Sequence, residues 1–347
     1  LVFQTLTKAQ KNMMIITTTE TVPHETRTAL TPQTAHRFIT KGFEAAAEQG
    51  CGCKASFTDR EYRDVGVKLE ADKQKLLSQA DLWLKVTAPT TEEISLLSSS
   101  ATVVADMSTL TDTARQLILQ KHIKAFALEK LPRISRAQPF DILSSQNNLA
   151  GYRAVIQAAY LSDRGLPMMI TSAGTVNPVN VLVIGLGVAG LQAVATARRL
   201  GAKIYVSDPK TETHEQAKSL GASVIEDIKS ILPQCSIVIT AAFGTKKHAP
   251  LIITDELLNT ATPSTVFIDM ASEYGGNIVH SQNLKTIHRK NCLIYGNSHL
   301  ENQIPHTASR LLATNFYNFT TQILCPYLHA ELSEEDEIIT QTLITES

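Results

Sequence analysis

Asn180-Val-Leu-Val-Ile-Gly-Leu-Gly-Val-Ala-Gly190 is the stretch that decides the fold. The apolar run Val181–Ile184 has the composition of a strand buried on both faces. Gly185, Gly187 and Gly190 follow at the spacing G-x-G-x-x-G, directly before an Ala-rich helical stretch, Leu191–Leu200. The first glycine permits a tight turn and the second lets the backbone approach a pyrophosphate. The third lets helix and sheet pack closely, so that the helix N-terminus faces the phosphates. Asp208 ends the next strand, Lys203–Ser207, and lies 18 residues past Gly190. A carboxylate there can bond both ribose hydroxyls and repels a 2′-phosphate. The expected cofactor is therefore NAD(H), held by Gly185, Gly187, Val188, Ala189, Gly190, Asp208 and Pro209, with Lys210 tempering the preference. A glycine turn used only for packing is the alternative.

The rhythm continues outward. Downstream, Ser236–Ala241, Thr265–Asp269 and Cys292–Tyr295 read as further strands of this sheet. Upstream, Met13–Thr17, Phe43–Ala47, Ala80–Val86, Thr102–Ala105 and Lys124–Leu128 form a second series of strands. Helical stretches lie between them at Gln33–Thr40, opened by Pro32, at Thr91–Leu97 and at Thr111–His122. This alternation predicts an α/β protein of two Rossmann-like, doubly wound domains with a cleft between them. The first domain takes residues 13–140 and 305–347, and the NAD(H)-binding domain takes 141–304. A long helix is expected from Asn148 to Arg164 and an amphipathic segment from Ala308 to Leu324. A short β-prone tail should follow the acidic patch Glu334–Glu337. Leu1–Asn12 reads as a tag remnant or extension, with the native start at Met13 or Met14.

Composition narrows the function classes. Of 347 residues, 43% are hydrophobic and 19% charged, which excludes a disordered or fibrous chain. The formal net charge of -1 offers no electrostatic footprint for nucleic acid or an anionic membrane. The longest apolar run, Val181–Leu191, contains three glycines and is too short to span a bilayer. No apolar stretch near the start resembles a signal peptide. Five scattered cysteines argue for a reducing compartment without a disulfide framework. No metal is expected: His280, His288, His299 and His306 lack ligand spacing, and Cys51-Gly-Cys53 is not C-x-x-C. Trp83 lies in an apolar strand and belongs to the core.

Before the glycine turn stands Leu131-Pro-Arg-Ile-Ser-Arg-Ala-Gln-Pro-Phe-Asp-Ile-Leu-Ser-Ser-Gln-Asn-Asn-Leu-Ala-Gly-Tyr-Arg153. Arg133, Gln138, Asp141 and Ser144 form a polar set suited to a nicotinamide carboxamide, which offers one acceptor and two donors. A solvated interdomain loop is the competing reading. Here the chain resembles the NAD(H)-binding component, domain I, of proton-translocating nicotinamide nucleotide transhydrogenase. The likeness also covers Glu20, Glu25-Thr-Arg27, Leu84-Lys-Val-x-Ala-Pro89, Ala173-Gly-Thr-Val176, Ile268-Asp-x-Ala-x-Glu-x-Gly-Gly-Asn277 and Glu335-Asp-Glu-Ile338. It implies that Arg133, Gln138, Asp141 and Ser144 cradle the nicotinamide while Gly185–Gly190 and Asp208 hold the adenosine half. It further implies a homodimer, peripheral on the inner face of the plasma membrane or on the matrix face. Membrane-embedded and NADP(H)-binding partner components would complete the enzyme, and proton coupling would occur in them.

The chain departs from that family at two places. Gly221–Ile237 is a short link where the family usually carries a long mobile loop, and Gly296-Asn-Ser-His-Leu300 lacks the family's turn proline. The related alanine dehydrogenases share the architecture, and Arg27 and Lys85 fall on their substrate-binding pair. Glu273 stands where they place an aspartate. Their histidine position, however, falls in Val103–Leu110, which contains none. Loss of a general acid–base group typically costs about 10²–10⁴-fold, so dehydrogenation ranks below transhydrogenation. Arg27, Lys85 and Glu273 then read as a remnant substrate pocket. A non-catalytic NAD-binding regulatory module is the reading from another class.

Overall fold

The computed structural model describes residues 13–244, 248–333 and 335–344, so the expected extension at Leu1–Asn12 lies outside the described residues. Two compact units divide the chain, Leu1–Gln146 with Ile304–Ser347 and Asn147–Gln303. The division falls inside a single helix, Ile142–Leu161, rather than at 140/141. That helix starts six residues earlier than Asn148 because Asp141 caps its first turn.

In the first unit a sheet is built from β1 (Met14–Thr17), β2 (Glu44–Glu48), β3 (Lys68–Glu70), β4 (Leu82–Leu84), β5 (Thr102–Ala105) and β6 (Lys124–Ala127). Its order is β3-β2-β1-β4-β5-β6, and every pairing is parallel. A parallel sheet is covered on both faces, so its central strands are apolar throughout rather than alternating. Ile15, Leu82, Leu84, Val104 and Phe126 pack on one side with Phe38, Phe316 and Phe319. Ile16, Trp83, Val103 and Ala125 pack on the other with Leu77, Ile94 and Ile118. Threonine caps open the covering helices. Thr58 and Thr90 each accept a backbone N–H from the third helical residue, and Glu61 and Glu93 return the bond.

The second unit begins with a hairpin, β7 (Met169–Thr171) and β8 (Gly174–Val176), which the polar sequence around it did not reveal. Its main sheet comprises β9 (Asn180–Ile184), β10 (Lys203–Ser207), β11 (Ser223–Val224), β12 (Ile237–Thr240), β13 (Val266–Asp269), β14 (Lys285–Arg289) and β15 (Cys292–Gly296). The order is β11-β10-β9-β12-β13-β15-β14, parallel except for the antiparallel edge strand β14. Val181, Val183, Ile239 and Ile268 face Ala154, Ala158, Ala193 and Ala197. Leu182, Val238 and Phe267 face Leu232 and Leu258. In each sheet the strand order reverses beside the first strand, β1 or β9, and ligands of doubly wound folds bind at that reversal, beyond the carboxyl ends of the strands.

The region 221–237 is filled by β11, a short helix Ile228–Ile231 and a 3-10 turn Leu232–Gln234. The tail corrects its expectation: Glu337–Thr342 is helical, with Leu343 forming only an isolated bridge to Phe126. Asp336 caps that helix and Ile338 and Ile339 bury one face of it, which outweighs the β-propensity of its isoleucines and threonines.

Helix Ile142–Leu161 crosses helix Val188–Arg199 at a pair of small residues. A Cβ at Gly151 would lie 2.1 Å from the Ala189 carbonyl oxygen. That overlap outweighs the roughly 1 kcal/mol that alanine gains over glycine in a helix. Gly151→Ala is expected to destabilise the protein by about 1–3 kcal/mol, measured as a lowered urea midpoint.

Candidate functional site

The glycine turn lies at the carboxyl end of β9. Gly185 has φ +92, and a Cβ there would come within 2.7 Å of the Ala241 carbonyl carbon after β12, so only glycine fits. At Gly190 a Cβ would sit 1.8 Å from the Gly185 carbonyl oxygen, which brings the start of helix Val188–Arg199 hard against the strand. Gly187 differs: a Cβ there would meet nothing within 4 Å. It is the N-cap, and no side chain caps the helix. The helix N-terminus is therefore an open, positively polarised rim of backbone N–H groups, the chemistry that a pyrophosphate needs.

Asp208 stands beside this rim. Its Oδ2 accepts the Leu186 N–H at 2.5 Å and its Oδ1 accepts the Lys210 N–H at 2.7 Å. The His214 ring nitrogen lies 2.7 Å from the Asp208 carbonyl oxygen and pins the backbone. The carboxylate is thus fixed in direction and keeps lone pairs for two hydroxyls. Pro209 and Lys210 are exposed next to it.

The loops beyond β12 and β13 are organised by two residues that the sequence did not single out as functional. Asp269 is fully buried and accepts N–H groups from Ala271, Asn277 and Ile278. Asn277, also fully buried, bonds both the N–H and the carbonyl of Ala242 and the carbonyl of Pro250. Their only signal was the spacing of the Asp269–Asn277 motif.

In the first unit, the loop that carries Arg133 and Gln138 forms a 3-10 turn, Ser135–Phe140. Both side chains are exposed, and neither has a hydrogen-bond or ion-pair partner among the described residues. Asp141 and Ser144 instead bond each other: Asp141 accepts the Ser144 N–H at 2.9 Å and its hydroxyl at 2.6 Å. The structure therefore brings this set together as two free side chains beside a helix cap.

Arg27 and Lys85 are both committed inside that unit. Lys85 is fully buried and donates to Glu20 at 2.8 Å, with Glu93 at 3.9 Å and Glu93 in turn held by Lys73 at 2.5 Å. Arg27 pairs with Glu25 at 2.6 Å and donates to Gln146 at 3.1 Å. In the second unit, Glu273 accepts from His299 at 2.6 Å, and the other ring nitrogen lies 3.4 Å from Glu301. The bond to Glu301 first, then the charges of Glu301 and Glu273, raise the His299 pKa to about 9 against the opposing effect of burial. Burial pushes the Cys51 thiol up to about 12, which keeps it an inert core group.

Family models described as alanine dehydrogenase/PNT match this chain throughout, the N-terminal domain over residues 16–150 and the C-terminal domain over 154–347. The chain is 37% identical to the first of the polypeptides that make up NAD(P) transhydrogenase subunit alpha in Rhodospirillum rubrum, with 96% of each chain covered. It is 36% identical to the corresponding NAD(P) transhydrogenase subunit alpha polypeptide of Rickettsia prowazekii, covering 96% of this chain and 94% of that one. Among solved structures, a transhydrogenase from Sinorhizobium meliloti superposes with a TM-score of 0.88 at 37% identity, over 96% of this chain and 97% of that one. An L-alanine dehydrogenase superposes at 0.82 with 20% identity over 95% and 94%, a likeness of fold.

Two measurements test the geometry. Removing Lys85 strands two carboxylates in the core, so Lys85→Met is expected to cost about 3–5 kcal/mol, read in urea unfolding. For His299 the folded pKa of about 9 lies above the ordinary 6.5. Its stabilising contribution is therefore complete below pH 6.5 and disappears as pH rises through 9. The stability gap between wild type and His299→Gln should narrow over that window; a gap that stays constant from about pH 6 to about pH 10 contradicts it.

Proposed function

The chain belongs to the alanine dehydrogenase/PNT family, and from that premise we propose that it is the NAD(H)-binding component of a proton-translocating transhydrogenase. Hydride would move between NAD(H) held here and NADP(H) held by a partner subunit. The observation that carries this reading is the end-to-end likeness to subunits named for that reaction. The open helix N-terminus at Gly187 and the oriented Asp208 carboxylate support NAD(H) as the nucleotide on this chain.

The bound nicotinamide ring supplies or accepts the hydride. Such a transfer needs no proton donor, so the work of the protein is positioning. Arg133 and Gln138 have the free donors and acceptor that a carboxamide would use. Asp141 and Ser144 set the first turn of helix Ile142–Leu161 and keep spare acceptor capacity toward the same group. Gly185 to Gly190 would receive the pyrophosphate, with Val188 and Ala189 as the first helical residues, and Asp208 with Pro209 would bound the ribose. Arg27 and Lys85 have their charges satisfied by Glu25, Glu20 and Glu93, which supports a structural role for this remnant pair.

Among the described residues no helix is long and apolar enough to cross a membrane. Proton movement and attachment to the membrane, on its cytoplasmic or matrix side, are therefore assigned to the partners. Self-association is proposed through the hairpin β7–β8, where Met168, Met169, Ile170 and Val176 are 42–75% exposed. An apolar edge of that kind is a pairing surface in waiting.

Hydride transfer from NADPH to an acetylpyridine analogue of NAD tests the assignment. Turnover should appear when the cognate NADP(H)-binding component is added and vanish when it is omitted. Tight NADH binding with no transfer under either condition would mark a non-catalytic module, and NADH oxidation with pyruvate and ammonia would mark a dehydrogenase. Gln138→Ala should lower transfer about 10- to 100-fold with no change in melting temperature, since its side chain has no partner among the described residues to lose.

A further inference from the structure

The turn that presents Arg133 and Gln138 is held by the far end of the chain. A single six-residue 3-10 turn has poor hydrogen-bond geometry and needs outside support to keep one orientation. Three side chains from beyond residue 304 provide it. Arg136 gives two hydrogen bonds to Asp336, at 2.6 Å to Oδ1 and 2.7 Å to Oδ2. Asn315 donates to the Pro139 carbonyl at 2.9 Å and Asn318 to the same oxygen at 3.3 Å. Asn315 also accepts the Ser145 hydroxyl at 2.7 Å, so it spans the turn and the helix that follows.

The Asp336 contact is built rather than incidental. The carboxylate is only 12% exposed, and it also accepts the Ile338 N–H as the cap of helix Glu337–Thr342. Burial opposes its charge, yet the Arg136 guanidinium and the backbone N–H groups hold its pKa below the usual carboxylate range. Ile338 and Ile339 share one core with Ala137 and Phe140 of the turn. The Ile344 N–H donates to the Ala125 carbonyl in β6, which fastens the far end of the tail. The turn is thus gripped at Arg136, Ala137, Pro139 and Phe140, while Arg133 and Gln138 point free.

We infer that Asp336, with Asn315 and Asn318, is a positioning residue for the nicotinamide: it turns Arg136 away from the ligand and fixes the direction in which Arg133 and Gln138 are presented. This rests on the proposed assignment of that turn to the nicotinamide. Arg136 is accordingly an anchor of the turn and has no ligand contact of its own. The acidic tail motif acts on the cofactor through this one ion pair.

The test compares two ligands on the full-length chain, NADH by nicotinamide fluorescence and ADP-ribose, which lacks the nicotinamide, by competition. Asp336→Asn keeps the helix cap, since asparagine caps as well as aspartate, but loses the charge pair. It should weaken NADH about three- to tenfold and leave ADP-ribose within about twofold. Asp336→Glu should restore NADH binding, and Arg136→Met, which removes the same pair from the half-exposed side, should reproduce the loss. Equal weakening of both ligands, or no change in either, overturns the inference. Gln138→Ala is the control for the parent assignment. If it leaves the preference for NADH over ADP-ribose unchanged, the turn does not serve the nicotinamide and both readings fall. If it lowers that preference and Asp336→Asn does not, only the positioning role is lost.

Discussion

The close approach of Gly190 to the Gly185 carbonyl is the constraint on which the second unit depends. A single added carbon would sit 1.8 Å from that oxygen, so helix Val188–Arg199 can start only where no side chain intervenes. This contact aims the helix N-terminus across the carboxyl edge of β9. The neighbouring helix Ile142–Leu161 is drawn in by the same economy of atoms, with Gly151 against the Ala189 carbonyl. Small residues therefore set the geometry of a polar rim whose function is electrostatic: backbone N–H groups are presented where phosphates can be received.

The first unit is held by a different compromise. Among its largest buried side chains is a lysine, and its charge is met by Glu20 and Glu93 rather than by water. Taking such charges out of water costs several kcal/mol per ion, which the pairing only offsets when every remaining lone pair is used. Glu20 meets that condition, accepting also the Val86 N–H and the Thr87 hydroxyl. The cluster ties the segment before the first helix to β4 and its following loop. In that place it contributes register and orientation more than net stability.

Function in this molecule is divided between fixed and free groups. Asp208, Asp269, Asn277 and Asp141 are each locked by several hydrogen bonds and define where loops and helix ends lie. Arg133 and Gln138 are exposed and unpartnered among the described residues, carried on a turn that is itself gripped from the far end of the chain. A hydride-transfer site needs that combination, because a rigid frame keeps the entropy cost of orientation low while a few open polar groups meet the ligand.

Sequence alone settles the two doubly wound sheets, since Val181–Ile184 and the strands around it are apolar at every position and a parallel sheet is the arrangement that buries both faces. It settles the glycine turn too, because its spacing encodes backbone clearances that no other residue permits. The polar edge elements β3, β14 and the hairpin β7–β8 carry no such periodic signal, and only their tertiary partners define them. The helical tail is decided in the same way. Its isoleucines and threonines favour a strand by themselves, but the Asp336 cap and burial against the first unit make a helix. The loop set Arg133, Gln138, Asp141 and Ser144 reads as one polar group in sequence; the fold separates it into two free side chains and a helix cap. That difference lies in hydrogen-bond partners from residues 304 onward, a separation in sequence that no local pattern can encode.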